Sequence, residues 1–215
     1  MRKILIVLLV GCVVVVAGCH FPGIRGNGQI KTEERQIGAF ADIDAGGAFK
    51  IEWESGPPAL RITTDENLLS YIENNVSDDT LHLRTRDHIW PTHGINVVIS
   101  SPKRTGGRIR GAVKLTVKQL SAPTFALESK GAAEVTLAGN VDRLLVDMTG
   151  ASQLAADGLQ AKTAEISTTG AGDAEVTVTD TLNVAITGAG KVTYSGSPRA
   201  IKKQITGAGS VRHKD

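Results

Sequence analysis

Six Gly-Ala dipeptides, beginning at Gly111, Gly131, Gly150, Gly170, Gly188 and Gly207, follow one another at intervals of 20, 19, 20, 18 and 19 residues. An earlier copy, Gly47-Ala48-Phe49-Lys50-Ile51, is separated from them by an insertion. A fixed period of this size marks a chain of equivalent units, none able to bury its apolar face alone.

The side chains around each dipeptide alternate. Four residues after the glycine stand Leu115, Val135, Leu154, Ala174, Val192 and Val211, and six after it Val117, Leu137, Ala156, Val176, Tyr194 and His213. Four before it are Leu127, Val146, Ile166 and Val184; six before it are Phe125, Leu144, Ala164, Leu182 and Ile201. This is the period of strands, not of helices. A unit of about 19 residues has a contour of roughly 65 Å, enough to close around a filled interior, and six units at about 4.8 Å spacing stack to some 25–30 Å. The expected fold is therefore all-β: a right-handed parallel β-helix, or β-solenoid, its hand set by the crossover rule, with the glycines at its corners where positive φ is needed. The outward row Lys114, Glu134, Gln153, Asp173, Lys191, Ser210 places opposite charges on adjacent strands, Lys114 with Glu134 and Asp173 with Lys191. Lys203 departs from the apolar series and reads as the last coil loosening. The charged end Arg212-His213-Lys214-Asp215 discourages end-to-end stacking.

Only 4% of the 215 residues are aromatic while 41% are apolar, so the core is aliphatic. Six of the eight aromatics precede residue 100. Residues 29–110 are accordingly expected to form irregular, wider coils continuous with the regular repeats of 111–215. Within them, Thr64-Asp65-Glu66-Asn67 ahead of Leu68-Leu69 predicts a short capped helical turn.

The N-terminus reads as an address. Met1-Arg2-Lys3 precedes an apolar run over residues 4–17, shorter than the roughly 20 residues of a membrane-spanning helix and of signal-peptide type. Val16-Ala17-Gly18-Cys19 resembles the lipobox of bacterial lipoproteins, the alternatives being a plain secretory signal or an uncleaved helix. The resemblance implies a signal peptide over 1–18, a diacylglyceryl thioether on Cys19 and often a further acyl chain (palmitate or similar) on its amine. Two or more chains at about 0.8 kcal/mol per buried methylene make a stable anchor. In a Gram-negative cell, His20 after the cysteine favours the outer membrane. Residues 19–28, rich in Gly, read as a tether. The mature chain would carry 22 basic and 22 acidic residues and one cysteine, which excludes a disulfide framework and argues against polyanion or nucleic-acid binding.

Lys31-Thr32-Glu33-Glu34-Arg35, Gly38-Ala39-Phe40-Ala41-Asp42-Ile43, the stretch Asp65 to Ile72, Leu81-His82-Leu83 and the Gly-Ala-Gly repeats, in this order, resemble the bacterial envelope family called putative auto-transporter adhesin, head GIN domain. The resemblance spans roughly residues 26–212. It implies a β-helical, secreted or lipid-anchored protein and carries over no catalytic residue.

Catalytic and metal signatures are weak. His88 and His93 flank Trp90-Pro91, but a metal needs three or four convergent ligands; Trp90 is either a sugar-stacking platform or loop packing. His82, between two leucines, is expected to face solvent. Asp173 and Glu175 share a face, as carboxylates do in polysaccharide-cleaving β-helices, yet Lys191 is placed to neutralise Asp173. The Asp of Gly170-Ala171-Gly172-Asp173 does not recur, so a calcium ladder is missing. The expected function is that of a non-enzymatic, lipid-anchored adhesin or envelope-component binding module, without catalytic residues, metal or cofactor. Its partners are a membrane, through Cys19, and a glycan or envelope protein, with a homo-oligomer left open. The alternatives are a structural or regulatory envelope subunit acting through its coil ends, and a carbohydrate-active β-helix enzyme.

Overall fold

The computed structural model describes residues 23–214; Cys19, the expected leader and the first part of the expected tether lie outside the described residues. Each repeat becomes one turn of a β-solenoid: the described residues are 72% strand and 3% helix, in about five turns of ~20 residues.

Strands β1 (Ile24–Arg25), β2 (Ile30–Arg35), β3 (Asp42–Gly47), β4 (Lys50–Ser55) and β5 (Ala59–Asp65) lead into a 3-10 helix, Glu66–Tyr71. Then follow β6 (Ile72–Ser77), β7 (Thr80–Thr85), β8 (Ile89–Trp90), β9 (Asn96–Ser101) and β10 (Gly106–Gly111). Strands β11 (Lys114–Gly131), β12 (Glu134–Gly150), β13 (Gln153–Gly170) and β14 (Asp173–Gly188) each run through nearly a whole turn, and β15 (Lys191–Ser195), β16 (Ala200–Gly207) and β17 (Ser210–His213) end the stack.

The register is that of the repeat. Leu115, Val135, Leu154, Ala174, Val192 and Val211 lie one above the other in parallel ladders, and Lys114 Nζ reaches Glu134 Oε1 at 2.8 Å. Asp173 and Lys191 are likewise neighbours in register.

The corners explain why glycine recurs. From Gly111 to Gly207 the six corner residues have φ between 93° and 120°, a region that L side chains avoid. A Cβ on Gly150 would also sit 2.5 Å from the carbonyl oxygen of Gly131 below it. That carbonyl accepts the Ala151 amide at 2.9 Å, and the same bond recurs from Ala112 to Gly47, Ala132 to Gly111, Ala171 to Gly150 and Ala189 to Gly170. Gly47 is thus a true copy of the corner.

Two further inner rows flank the corner. Two residues after each glycine, Phe49, Val113, Ala133, Ser152, Gly172 and Gly190 diminish along the stack. Two residues before it, Ala45, Ile109, Ser129, Met148, Thr168 and Ile186 are buried as well. Small faces large: a Cβ on Gly172 would lie 2.9 Å from Thr168 Oγ1, while Ser129 and Ser152 share a 2.7 Å hydrogen bond. One continuous apolar core runs from Phe40 to Tyr194. Its wide N-terminal part is filled by Trp53, stacked on Phe40 at 5.9 Å and tilted on Phe125 at 6.5 Å.

The N-terminal half is not a simple ascending coil. β3 lies between β7 and β10, and β4 between β9 and β11. The chain therefore adds its second turn outside the first and then crosses back to start the repeats. Beyond this turn the pairing becomes antiparallel, β6 with β7 and β2 with β5 with β9, which closes that end. Arg35 fastens this cap by donating to the carbonyls of Leu69 and Ile72 at 2.7 and 2.6 Å. The expected capping of the helical turn takes another form: Asp65 sits at the N-cap but makes no capping bond. Its buried carboxylate accepts instead from the Gly28 amide at 2.7 Å and from the amide and hydroxyl of Thr92, both at 2.8 Å.

The opposite end is open. Every residue of β16 is exposed, including Ile201 and Ile205 at 41% and 42%. Lys203, in the inward series above Val184, turns its ammonium over the Tyr194 ring at 5.7 Å and to the Val211 carbonyl at 3.5 Å. An inward-pointing charge is a known way to blunt an open sheet edge.

Two outcomes test this packing. Ile166→Asp places an unpaired carboxylate in the stack, and we expect it to lower stability by about 4 kcal/mol or more, read from urea unfolding; an unchanged midpoint would mean that Ile166 is not inside. Lys203→Ile should convert the open end into an apolar edge and produce concentration-dependent association in sedimentation velocity, whereas a monomer indistinguishable from the parent would deny Lys203 its blocking role.

Candidate functional site

Because the coils stack in register, outward rows become continuous features of the surface. Five residues before each corner stand Asp42, Gly106, Ala126, Leu145, Glu165, Asn183 and Lys202; three before it stand Asp44, Arg108, Glu128, Asp147, Ser167, Ala185 and Gln204. Side chains two apart on one face are about 7 Å apart, and between these two rows lies a groove of ≈ 730 Å³. It crosses seven strands, roughly 29 Å at the usual separation of about 4.8 Å. Gly106, Ala126, Ser167 and Ala185 keep parts of the rows low, and their neighbours supply carboxylates, amides and a hydroxyl. A second hollow of ≈ 480 Å³ lies on another face, around Pro123, Asp142 and Lys162.

The groove's charges are mostly committed. Glu128 meets Lys130 at 2.7 Å and Arg108 at 3.4 Å; the hydrogen bond from Lys130, with Arg108 and Arg110 adding to it, holds its carboxyl below the ordinary range. Glu165 takes Arg143, and Asp42 accepts from the Thr105 hydroxyl at 2.8 Å. Asp147, at mid-groove, has no ion pair or side-chain hydrogen bond among the described residues, and Asn183 and Gln204 add their amides to the same lining.

At one end of the groove sits an ion cluster that the linear sequence hides. Asp44 on β3 is buried to 5% exposure and is faced by Arg84 at 2.9 Å and His82 at 3.5 Å from β7, and by Arg110 at 3.2 Å from β10. Burial alone would raise its carboxyl pKa, but the bond and charge of Arg84, then Arg110 and His82, outweigh it and the value is lowered. His82 is outward, as its place between two leucines predicts, but it is held, its Nε2 lying 3.1 Å from Ser77 Oγ.

Ser77, His82 and Asp44 thus follow one another in the order of a hydrolase triad. Three features oppose that chemistry. The carboxylate is shared by two arginines, His82 stands 3.5 Å from it, and Ser77 is followed by Asp78 and Asp79, whose charges would oppose an oxyanion.

The other residues singled out in the sequence are dispersed. His88 packs edge-on against Trp90 at 5.7 Å, and His93 Nδ1 meets the Thr92 hydroxyl at 3.0 Å. Glu175 binds Lys214 at 3.0 Å. Among the described residues no three His, Cys, Asp or Glu side chains converge as metal ligands, and no helix is long and apolar enough to cross a membrane.

The Asp44 cluster makes a prediction about pH. A carboxyl with a depressed folded pKa contributes stability above its unfolded value, near 3.9, and loses it as pH falls through the folded value. Asp44→Asn should therefore cost about 1–3 kcal/mol at neutral pH, and the gap from the parent should close as urea titrations are taken below pH ~4. A gap equal at pH 7 and pH 3 would contradict the assignment.

Comparison with known proteins agrees with the architecture. The chain resembles the solved structure of a putative adhesin from Bacteroides fragilis, with a TM-score of 0.70 at 22% identity over 89% of this chain and 100% of that one. A putative lipid binding protein from Parabacteroides distasonis aligns with a TM-score of 0.52 at 23% identity, over 90% of this chain and 100% of that one. A putative adhesin from Parabacteroides merdae gives 0.52 at 20%, over 90% and 99%. These likenesses establish the fold. No curated protein sequence matches the chain. The model of one family matches residues 39–198, from the strand before the first corner to the last regular turn, and the chain accordingly belongs to the putative auto-transporter adhesin, head GIN domain family.

Proposed function

We propose that the protein is a non-enzymatic adhesin of the cell envelope, held to the membrane by acylated Cys19, and that it binds an extended polymer along the groove. The observation that carries this reading is the groove itself: an open trough about 29 Å long across successive strands of a parallel sheet. A pocket for a small molecule encloses its ligand; an open trough that passes over one strand after another suits an extended chain. The uncommitted Asp147 carboxylate, the Asn183 and Gln204 amides and the Ser167 hydroxyl offer both donors and acceptors, which suits the hydroxyls of a glycan. The balance of 22 acidic and 22 basic residues in the mature chain argues against a polyanion.

Enzymatic glycan cleavage is disfavoured on the same ground. A glycosidase pairs an acid of raised pKa with a second carboxylate, whereas the groove's Glu128 and Glu165 are ion-paired and Glu128 is shifted the other way. Membrane attachment rests on the order of apolar run, small residues and cysteine at positions 4–19.

Two variants test the proposal separately. Cys19→Ala should move the protein from the membrane to the soluble fraction; retention would remove the anchor. In that soluble background, Ala126→Arg with Ser167→Tyr fills the trough from two exposed positions without touching the core. Binding on a glycan array should fall at least about tenfold, the equivalent of 1.4 kcal/mol, with thermal stability unchanged. Undiminished binding would place the ligand elsewhere.

A further inference from the structure

Four large apolar side chains are exposed among the described residues, and they lie at the two ends of the stack: Ile201 and Ile205 at the open end, Ile30 and Trp90 at the closed one. At the closed end the buried Asp65 carboxylate gathers the surrounding loops. It binds the amide of Gly28, two residues before Ile30, and the amide and hydroxyl of Thr92, two residues after Trp90. Trp90 is 48% exposed and Ile30 45%, so the two segments tied to this one carboxylate each present a bulky apolar group to solvent.

The chain enters the domain at this same place. Ile24 donates to the His88 carbonyl and Gly26 to the Trp90 carbonyl, both at 2.9 Å, which pairs β1 with β8 in parallel and sets Arg25 beside Trp90. Gly23 lies so close under the indole that a Cβ there would be 2.3 Å from Nε1. The entry strand is thus fixed against the tryptophan.

We propose that this end is seated on the membrane, with the Trp90 indole and Ile30 in the headgroup interface and Arg25 among anionic headgroups. The inference rests on acylation of Cys19, the reading given above. Only residues 20–22 separate Cys19 from Gly23, so an acylated cysteine lies within about 15 Å of Gly23, the residue under the indole, at the extended reach of about 3.6 Å per residue. Tryptophan, with an apolar body and one N–H, favours this interface, and a basic side chain near an anionic surface adds to the attraction. Seated in this way, the solenoid stands with its axis away from the bilayer. The groove then runs outward from the membrane, and the open coil with Lys202, Lys203 and Arg212 is its far tip.

The two tryptophans make the test direct, because Trp53 is buried to 1% exposure and Trp90 is not. Mature full-length protein is reconstituted in phosphatidylethanolamine–phosphatidylglycerol vesicles containing phosphatidylcholine brominated either near the headgroup or near the chain end. Shallow bromine should quench the emission at least about twofold more than deep bromine, as expected for an indole at headgroup level, and Trp90→Phe should abolish the quenching. Mass spectrometry of the same sample reads acylation independently. Acylated protein whose emission neither bromine affects overturns the seating and points to a protein occupant for this patch. Quenched but unacylated protein upholds the patch as membrane-active and overturns the anchor. Loss of both overturns both.

Discussion

The corner where each Gly-Ala pair stacks on the one before it is the contact on which the rest of the molecule depends. The carbonyl of one corner glycine accepts the amide after the next, at 2.8–3.1 Å from Ala112 to Ala189, and no side chain fits between them. That bond fixes the vertical register of every strand attached to it. Once it is fixed, residues some nineteen positions apart become neighbours, and each row of the repeat becomes a stripe on the solid. Inward stripes make the aliphatic core. Outward stripes make the ion pairs and the groove. The site is not a cluster of special residues added to the fold; it is the shape left where two outward rows contain enough glycine, alanine and serine.

The two ends of the stack carry different solutions to one problem, the unpaired edge of a parallel sheet. At one end the chain turns back on itself and covers the edge with antiparallel strands fastened by Arg35 and Asp65. At the other end a lysine occupies an apolar row. The asymmetry gives the molecule a direction, with chain entry, exposed indole and closed cap at one pole and a basic, uncapped coil at the other.

The regular half of this architecture was readable from the sequence because a period fixes long-range neighbours without any need to predict turns. Lys114 beside Glu134, and Leu115 beside Val135, follow from counting alone. The Asp44 cluster did not follow. Aligning the Gly47 copy on the Gly111 copy brings Asp44 next to Arg108, within reach of Arg110, and so held part of the answer. His82 and Arg84, however, belong to an inserted turn that lies outside the first one, and no periodicity announces that crossing. The complementary inner rows around the corner were also missed. Gly172 and Gly190 there look like more turn glycines, whereas they make room for Thr168 and its neighbours. Asp65 illustrates the same limit: its place before a helical turn suggested a cap, but its partners, Gly28 and Thr92, are brought to it by tertiary structure.

The in-register stack is tested most directly by disulfide formation along one wall of the groove in a chain freed of Cys19. Ala126 and Leu145 are partners on adjacent strands, whereas Ala126 and Glu165 are separated by one intervening strand. Neighbouring parallel strands are about 4.8 Å apart, within the reach of a disulfide, and second neighbours, near 9.6 Å, are beyond it. Cysteines at 126 and 145 should cross-link rapidly on mild oxidation while cysteines at 126 and 165 stay reduced. Cross-linking of the second pair in preference to the first, or of neither, would contradict the stacking and with it the groove.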